Sequence, residues 1–307
     1  MRVLLLLLNP GVVGVIALFL SVIWMLRDEK DKTRPLLVFA LTLNLFFGFL
    51  LTVFMSREGG LLPWKYDHIL FAIDQALGIP AAPIARLLQG FWRIPLIVVY
   101  QLMVPMMIGW FLVTQYRNAR GSVVLAYVGE LVAGPILYAA LPACGPIYAF
   151  GKQWLNPPQV QVETVKLAAM PNAFPSLHVG TALVFVFFAP GRFWRAVALA
   201  FLFGTGLATL STGEHYVIDL VSGLAFGCFA ACVGYRRFRG ALVYLAVVVC
   251  WSLAVRFGYP ILIAYPGLLR LMAVLTVAMA ANAVLREWSS PDVAMAEQAE
   301  QASAIAE

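Results

Sequence analysis

Side chains that could do chemistry occur in two short segments of a largely apolar chain, a histidine in the first and a histidine with an aspartate in the second. Residues 174–178 read Phe-Pro-Ser-Leu-His, and residues 213–219 read Gly-Glu-His-Tyr-Val-Ile-Asp. In the second segment His215 and Asp219 are four residues apart, which places both side chains on one face of a helix, one turn apart. A carboxylate there can bind one imidazole nitrogen and leave the other free to attack an electrophile or take a proton. The pair therefore predicts a nucleophile or a general base.

The first segment has the features of a helix N-terminus. Pro175 is favourable at a helix start, and Ser176 is a good N-cap residue. The free N–H groups and the partial positive charge at such a helix end suit a phosphate group. We therefore predict that Ser176 contributes to a phosphate-binding site and that His178 lies beside it.

The composition is that of an integral membrane protein. The chain of 307 residues is 62% hydrophobic and 12% charged, whereas a soluble domain carries roughly 25% charged residues. Apolar runs of ~20 residues recur, and this length crosses a bilayer core as a helix. The net charge of +6 does not indicate nucleic-acid binding, because the basic residues form short clusters between apolar runs, as in loops that orient a membrane protein.

The hydropathy pattern predicts an all-α polytopic bundle with about nine spans. The expected spans are 3–26, 36–55, 92–114, 122–141, 176–190, 195–211, 215–235, 241–258 and 261–285. Residues 66–77 form an amphipathic helix that we expect in the membrane interface. The expected regions are an N-terminal segment of residues 1–91, a six-helix catalytic core 92–235, C-terminal helices 236–288 and a disordered cytoplasmic tail 289–307.

The distribution of Lys and Arg predicts that the N-terminus lies outside. With this orientation most basic residues between the spans fall in cytoplasmic loops. His178 and His215 then each begin a span that runs inward, so that both histidines and Asp219 meet at the outer surface. Ionisable residues near spans are costly and are functional as a rule. We therefore predict a catalytic site in which one histidine is the nucleophile and the other protonates the leaving oxygen.

These motifs resemble those of the type-2 phosphatidate phosphatase superfamily. Pro-Ser-Leu-His at 175–178 and His-Tyr-x-x-Asp at 215–219 are similar to its second and third motifs. The resemblance covers residues 92–235. It implies that His215 forms a phosphohistidine-type intermediate, that Asp219 orients it and that His178 acts as acid and base. It also implies a reaction without a metal or another cofactor, and three histidines without a Cys-x-x-Cys pair give little support for zinc.

Two departures from the phosphatase motifs favour another branch of the superfamily. Leu177 replaces the glycine of Pro-Ser-Gly-His, and Ala208-Thr209 replace a Ser-Arg pair before the nucleophile. Residues 141–146, Leu-Pro-Ala-Cys-Gly-Pro, resemble the proline-rich loop of the inositol phosphorylceramide synthases, which pass a phospho-headgroup between lipids. We therefore expect a lipid phosphotransferase, with a lipid phosphate phosphatase as the alternative. A transporter is disfavoured, because the internal repeat expected of that class is absent from the sequence.

The expected substrates are a phospholipid donor and a lipid or polyol acceptor that reach the site from the membrane. Without the motif arginine, other cations must balance the phosphate charge, and Lys152 and Lys166 lie in the loop before His178. We assign both lysines to the substrate-binding site together with Ser176 and Tyr216. The short loops favour a bacterial plasma membrane, with the site on the extracytoplasmic side.

Overall fold

A computed structural model of the protein describes residues 59–116 and 121–289, together with positions 23, 53, 56 and 57. Most of these residues are helical, and a two-stranded antiparallel sheet pairs Trp64–Lys65 (β1) with Val165–Lys166 (β2). The predicted all-α membrane fold is confirmed. The predicted spans 3–26 and 36–55, and the predicted tail beyond Ser289, lie outside the described residues.

The helices follow one another with short connections. In chain order they are α1 (Asp67–Leu77), α2 (Ala81–Leu88), α3 (Arg93–Gln101), α4 (Met103–Tyr116), α5 (Val123–Ala140), α6 (Pro146–Phe150), α7 (Leu177–Phe187), α8 (Gly191–Thr212), α9 (Val217–Gly234), α10 (Phe238–Ala264) and α11 (Pro266–Trp288). Short 3-10 turns precede α3 and follow α6. Gly213 ends α8 at φ 76°, a left-handed conformation that glycine adopts without steric cost.

Five helices are long and apolar enough to cross a membrane, which makes the chain an integral membrane protein. They are α5, α8, α9, α10 and α11, and each coincides with a predicted span. The predicted span 92–114 is instead two helices, α3 and α4, bent by 51° at Leu102. Pro105 accounts for the break, because it has no N–H to donate to the carbonyl of Gln101.

The predicted span 176–190 is shorter than expected. α7 has 11 residues, which at ~1.5 Å per residue cover about half of a bilayer core. Its whole length beyond His178 is nevertheless buried, so the helix packs inside the bundle. α7 is therefore enclosed by protein instead of facing lipid.

The amphipathic pattern of residues 66–77 correctly predicts a helix, but protein covers its apolar face. Ile69, Leu70 and Ile73 of α1 are each 2% exposed or less, and they pack in one cluster with Phe174 and Trp251. α1 contacts α9, α10 and α11. The expected interfacial helix thus packs against the bundle, since its apolar residues find protein partners there instead of lipid.

α9 is the centre of the bundle and approaches α7 unusually closely. It packs against α5, α7, α10 and α11. A Cβ on Gly227 would lie 2.6 Å from the carbonyl oxygen of Gly180, and one on Gly223 would lie 2.6 Å from that of Ser176. Both distances are far below van der Waals contact, so glycine is required at these positions. The close approach places the first turn of α7 beside the first turn of α9.

Gly227→Ala should force α7 and α9 apart. The new Cβ would overlap the backbone of Gly180, and overpacking of this kind costs about 1–3 kcal/mol. We expect a lower unfolding temperature in detergent, measured by thermal denaturation. Gly258→Ala in α10 is the matched control, because no atom lies within 4 Å of its Cβ position. An equal loss of stability in the two variants would contradict this explanation.

Candidate active site

His215 is held in one orientation by contacts on both sides of its ring. The residue lies in the turn between α8 and α9 and is 2% exposed. Its Nδ1 atom is 2.8 Å from the carbonyl oxygen of Ala173. A carbonyl only accepts, so Nδ1 carries the proton and Nε2 has the lone pair. Nε2 lies 3.2 Å from the hydroxyl oxygen of Ser176 and is the candidate nucleophile.

The Asp219 carboxylate lies beside the same ring but is not the closest partner of Nδ1. Its Oδ2 atom is 3.5 Å from Nδ1 and accepts the backbone N–H of Tyr216 at 2.7 Å. Its Oδ1 atom is buried and has no hydrogen-bond partner among the described residues. α9 begins at Val217, so His215 precedes the helix on which the sequence pattern places it. The cap contact of Asp219, and not helical periodicity, brings its charge to the ring.

His178 lies in the first turn of α7 and faces His215. Its ring stacks on Tyr100 of α3 with centroids 4.4 Å apart. The centroids of the two imidazoles are 5.9 Å apart, and the ring planes cross at 71°. Ser176 accepts the N–H of Val179 at 3.4 Å, which confirms the predicted N-cap of α7. A phosphoryl group placed next to Ser176 can contact both imidazoles.

Backbone hydrogen bonds join the two motif segments to each other and join the loop 141–146 to Ala173. The N–H of Ser176 donates to the carbonyl oxygen of Asp219 at 3.0 Å, which ties the start of α7 to α9. The carbonyl oxygen of Ala143 accepts the N–H of Ala173 at 2.9 Å. The loop therefore fixes the residue whose carbonyl orients His215.

Asp67 and Asp74 of α1 are buried at this site, although the amphipathic pattern places them off the apolar face. Asp67 accepts the N–H of Gly145 at 2.8 Å and the hydroxyl of Tyr216 at 3.2 Å. Asp74 accepts the first two N–H groups of α9, at 2.8 and 3.0 Å. Asp74 thus caps α9 from another helix. The first N–H groups of α9 are therefore occupied, and the phosphate site at the N-terminus of α7 stays a prediction.

Burial dominates the electrostatics of the turn before α9. Burial lowers the pKa of His215 to about 4, and the nearby Glu214 carboxylate opposes this shift. The ring is therefore neutral at physiological pH, as nucleophilic attack requires. Burial also raises the pKa of Tyr216. Its phenol therefore stays protonated and donates to Asp67.

The remaining predicted binding residues divide between the buried site and the surface. Tyr216 is 1% exposed, and its hydroxyl contacts α1 through Asp67. Lys152 and Lys166 are exposed. Within residues 59–116 and 121–289, no hydrogen bond or ion pair joins either ammonium group to the histidines. Their contact with phosphate stays a prediction.

The residues that depart from the phosphatase motifs are packed in the bundle. A Cβ on Gly134 of α5 would lie 2.9 Å from Leu177 Cδ2, so the leucine fills the space that this glycine leaves. Ala208 and Thr209 of α8 are both fully buried. Neither supplies a cation to the site.

Fold and site together define a helical membrane protein in which two histidines meet at the ends of adjacent helices. The family model of the PAP2 superfamily matches residues 68–233, which contain every predicted site residue. The chain belongs to this superfamily, and the resemblance seen in the motifs is confirmed at that level. The match does not separate the branches of the superfamily. No curated protein and no solved structure matches the chain significantly.

Proposed function

We propose that this protein transfers a phospho-headgroup between lipids through a phosphohistidine-type intermediate on His215. The supporting observation is the contact of Nδ1 with the Ala173 carbonyl, which leaves the lone pair of Nε2 facing Ser176. Membership in the PAP2 superfamily supports phosphoryl transfer on a lipid-like substrate. The branch resemblance favours an inositol phosphate-like headgroup, and the charge distribution favours a site on the extracytoplasmic face.

In the first step Nε2 of His215 attacks the phosphorus of the phospholipid donor. The bond between phosphorus and the lipid alcohol oxygen breaks, and protonated His178 gives its proton to that oxygen. The negative charge of the bound phosphate favours the protonated form of His178. In the free protein the Ser176 hydroxyl contacts Nε2. When phosphate is bound, this hydroxyl rotates and donates its hydrogen bond to a phosphate oxygen, which leaves Nε2 free to attack.

The modified His215 ring keeps its Nδ1 proton and therefore carries a positive charge. The Ala173 carbonyl accepts this N–H, and the Asp219 carboxylate, 3.5 Å away, stabilises the charge. In the second step neutral His178 removes the proton of an acceptor hydroxyl, whose oxygen attacks phosphorus. The phosphorus–nitrogen bond breaks, and both histidines return to their starting forms.

Hydrolysis of a lipid phosphomonoester or pyrophosphate is the second candidate function. The same two steps with water as the acceptor give a phosphatase, and superfamily membership supports either activity. Ala208 and Thr209 favour transfer, because they leave the site without the motif arginine that would balance a doubly charged phosphate. A phosphodiester carries one negative charge and needs less compensation.

Acceptor competition separates the two functions. Purified protein in detergent is given headgroup-labelled phosphatidylinositol, with and without ceramide or diacylglycerol. Transfer requires label in a new lipid that depends on the acceptor and disappears in His215→Ala. Label that is released only as a water-soluble product would establish hydrolysis. Conversion that survives in His215→Ala would contradict both functions.

The acid limb of the pH profile of kcat/KM should lie at a pH well below the pKa of an exposed histidine. His215 must be neutral to attack, and its pKa is lowered to about 4 by burial, compared with ~6.5 for an exposed histidine. Because kcat/KM reports the ionisations of the free enzyme, we expect its acid limb well below pH ~6.5 with a phosphodiester donor. A donor of this kind avoids the phosphomonoester ionisation near pH ~6. An acid limb that stays near ~6.5 would show that the nucleophile is not this buried ring.

A further inference from the structure

A carboxylate lies beside the nucleophile, and the mechanism above does not use it. Glu214 directly precedes His215, and its side chain is half-buried. A negative charge next to a bound phosphate opposes binding through Coulomb repulsion. The carboxylate is therefore suited to a portion of the substrate other than the phosphate.

Glu214 is held in place together with Tyr148 of α6. The Tyr148 hydroxyl donates to Glu214 Oε1 at 3.2 Å. The N–H of Ile147 donates to the carbonyl oxygen of Gly213 at 2.9 Å, which joins α6 to the turn that carries Glu214. Tyr148 is 45% exposed, so the pair lies at the surface end of the site.

Tyr100 connects this pair to the second histidine. Its ring stacks on His178 at 4.4 Å, and its hydroxyl is close enough to Glu214 and Tyr148 to interact electrostatically with both. Tyr100, Tyr148 and Glu214, here called the rim cluster, thus lie beside the two imidazoles, with Tyr148 partly exposed to the surface. A headgroup attached to a phosphate on His215 would therefore be within reach of these side chains.

We propose that the rim cluster binds the hydroxyl groups of a polyol headgroup and selects a phosphodiester donor over a phosphate monoester. This inference rests on the proposed transfer of a phospho-headgroup. A carboxylate accepts hydrogen bonds from two neighbouring hydroxyls, and a phenol both donates and accepts. The carboxylate also repels a doubly charged monoester more than a singly charged diester.

The aromatic contacts of the rim cluster favour hydroxyls over a quaternary ammonium group. Such cations bind in cages where several aromatic faces surround the charge. One face of Tyr100 is covered by the His178 ring, and the Tyr148 hydroxyl is directed to Glu214. The cluster therefore presents polar edges and one carboxylate, which match a hydroxylated ring.

Binding of soluble headgroup compounds tests this selectivity separately from transfer between lipids. The probes are glycerophosphoinositol, glycerophosphocholine and ethyl phosphate, titrated into purified wild-type protein and Glu214→Gln. We expect wild-type protein to prefer glycerophosphoinositol. The substitution should lower the affinity for glycerophosphoinositol by ~10-fold or more. The affinity for ethyl phosphate should stay unchanged or increase. Tyr148→Phe should shift selectivity in the same direction.

Glu163→Gln is the matched control, because this glutamate is exposed in the loop between α6 and α7 and has no contact with the histidines of the site among the described residues. It should leave all three affinities within about twofold. The proposal would be overturned if wild-type protein bound glycerophosphocholine more tightly than glycerophosphoinositol. It would also be overturned if Glu214→Gln lowered the affinity for all three probes equally. Turnover that persists in His215→Ala would instead contradict the transfer mechanism, so the two failures are distinguishable.

Discussion

His215→Ala should lower turnover of the lipid donor by ~10⁴-fold or more, because it removes the atom that forms the covalent intermediate. Nε2 is held toward Ser176 by the Ala173 contact on the opposite side of the ring. Among the described residues, Nε2 of His215 is the side-chain nitrogen that contacts the Ser176 hydroxyl. The loss should be the same with every donor, since each reacts through this atom. It is measured as product formed by purified protein in detergent.

The chain contains a matched control for this substitution. It has three histidines, and His68 stacks on Phe150 at 5.7 Å, whereas the rings of His178 and His215 contact each other. His68→Ala should retain turnover within a few-fold. If His215→Ala kept more than about one hundredth of wild-type turnover, the covalent mechanism on this residue would be excluded.

His178→Ala should lower turnover by about 10²–10⁴-fold with a natural lipid donor, because the leaving alkoxide is no longer protonated. A donor with a p-nitrophenol leaving group does not need that proton. With this donor, release of p-nitrophenol in the first turnover should fall by less than ~10-fold. The comparison is made by rapid mixing, which separates the first turnover from later ones.

The same variant should stall after the first turnover. His178 also removes the proton of the acceptor, so its loss slows the second step whichever donor is used. A burst of p-nitrophenol followed by a slow phase is expected. Equal losses with the natural and the activated donor would show that His178 is not the acid. His68→Ala should keep the wild-type ratio of the two donors.

Hydropathy predicts most of the fold because long apolar helices have few alternatives in a bilayer. For this reason the predicted spans that correspond to α5 and α8–α11 are correct. The pattern does not reveal the break at Leu102, since an apolar run looks continuous even where Pro105 removes a hydrogen bond. It also places the apolar face of α1 in the interface, because amphipathicity does not distinguish a lipid partner from a protein partner.

The residue types at the site are readable from the sequence, but their partners are not. Ser176, His178, His215 and Asp219 stand in short motifs, and the structure places them together. The group that orients His215 is the carbonyl of Ala173, and every residue has a carbonyl, so no residue type marks it. Asp74 caps α9 from a helix 143 positions earlier in the chain. Contacts at such separation depend on packing and leave no local signal.

The most direct test of the central claim is to trap the intermediate. His178→Ala is mixed with an activated phosphodiester donor, quenched at alkaline pH and digested, and the peptides are analysed by mass spectrometry. We expect the mass of the phospho-headgroup on the peptide that contains His215, attached through a bond that acid cleaves. No adduct should form in the double variant that also carries His215→Ala. An adduct on another residue, or a p-nitrophenol burst without any adduct, would contradict the mechanism.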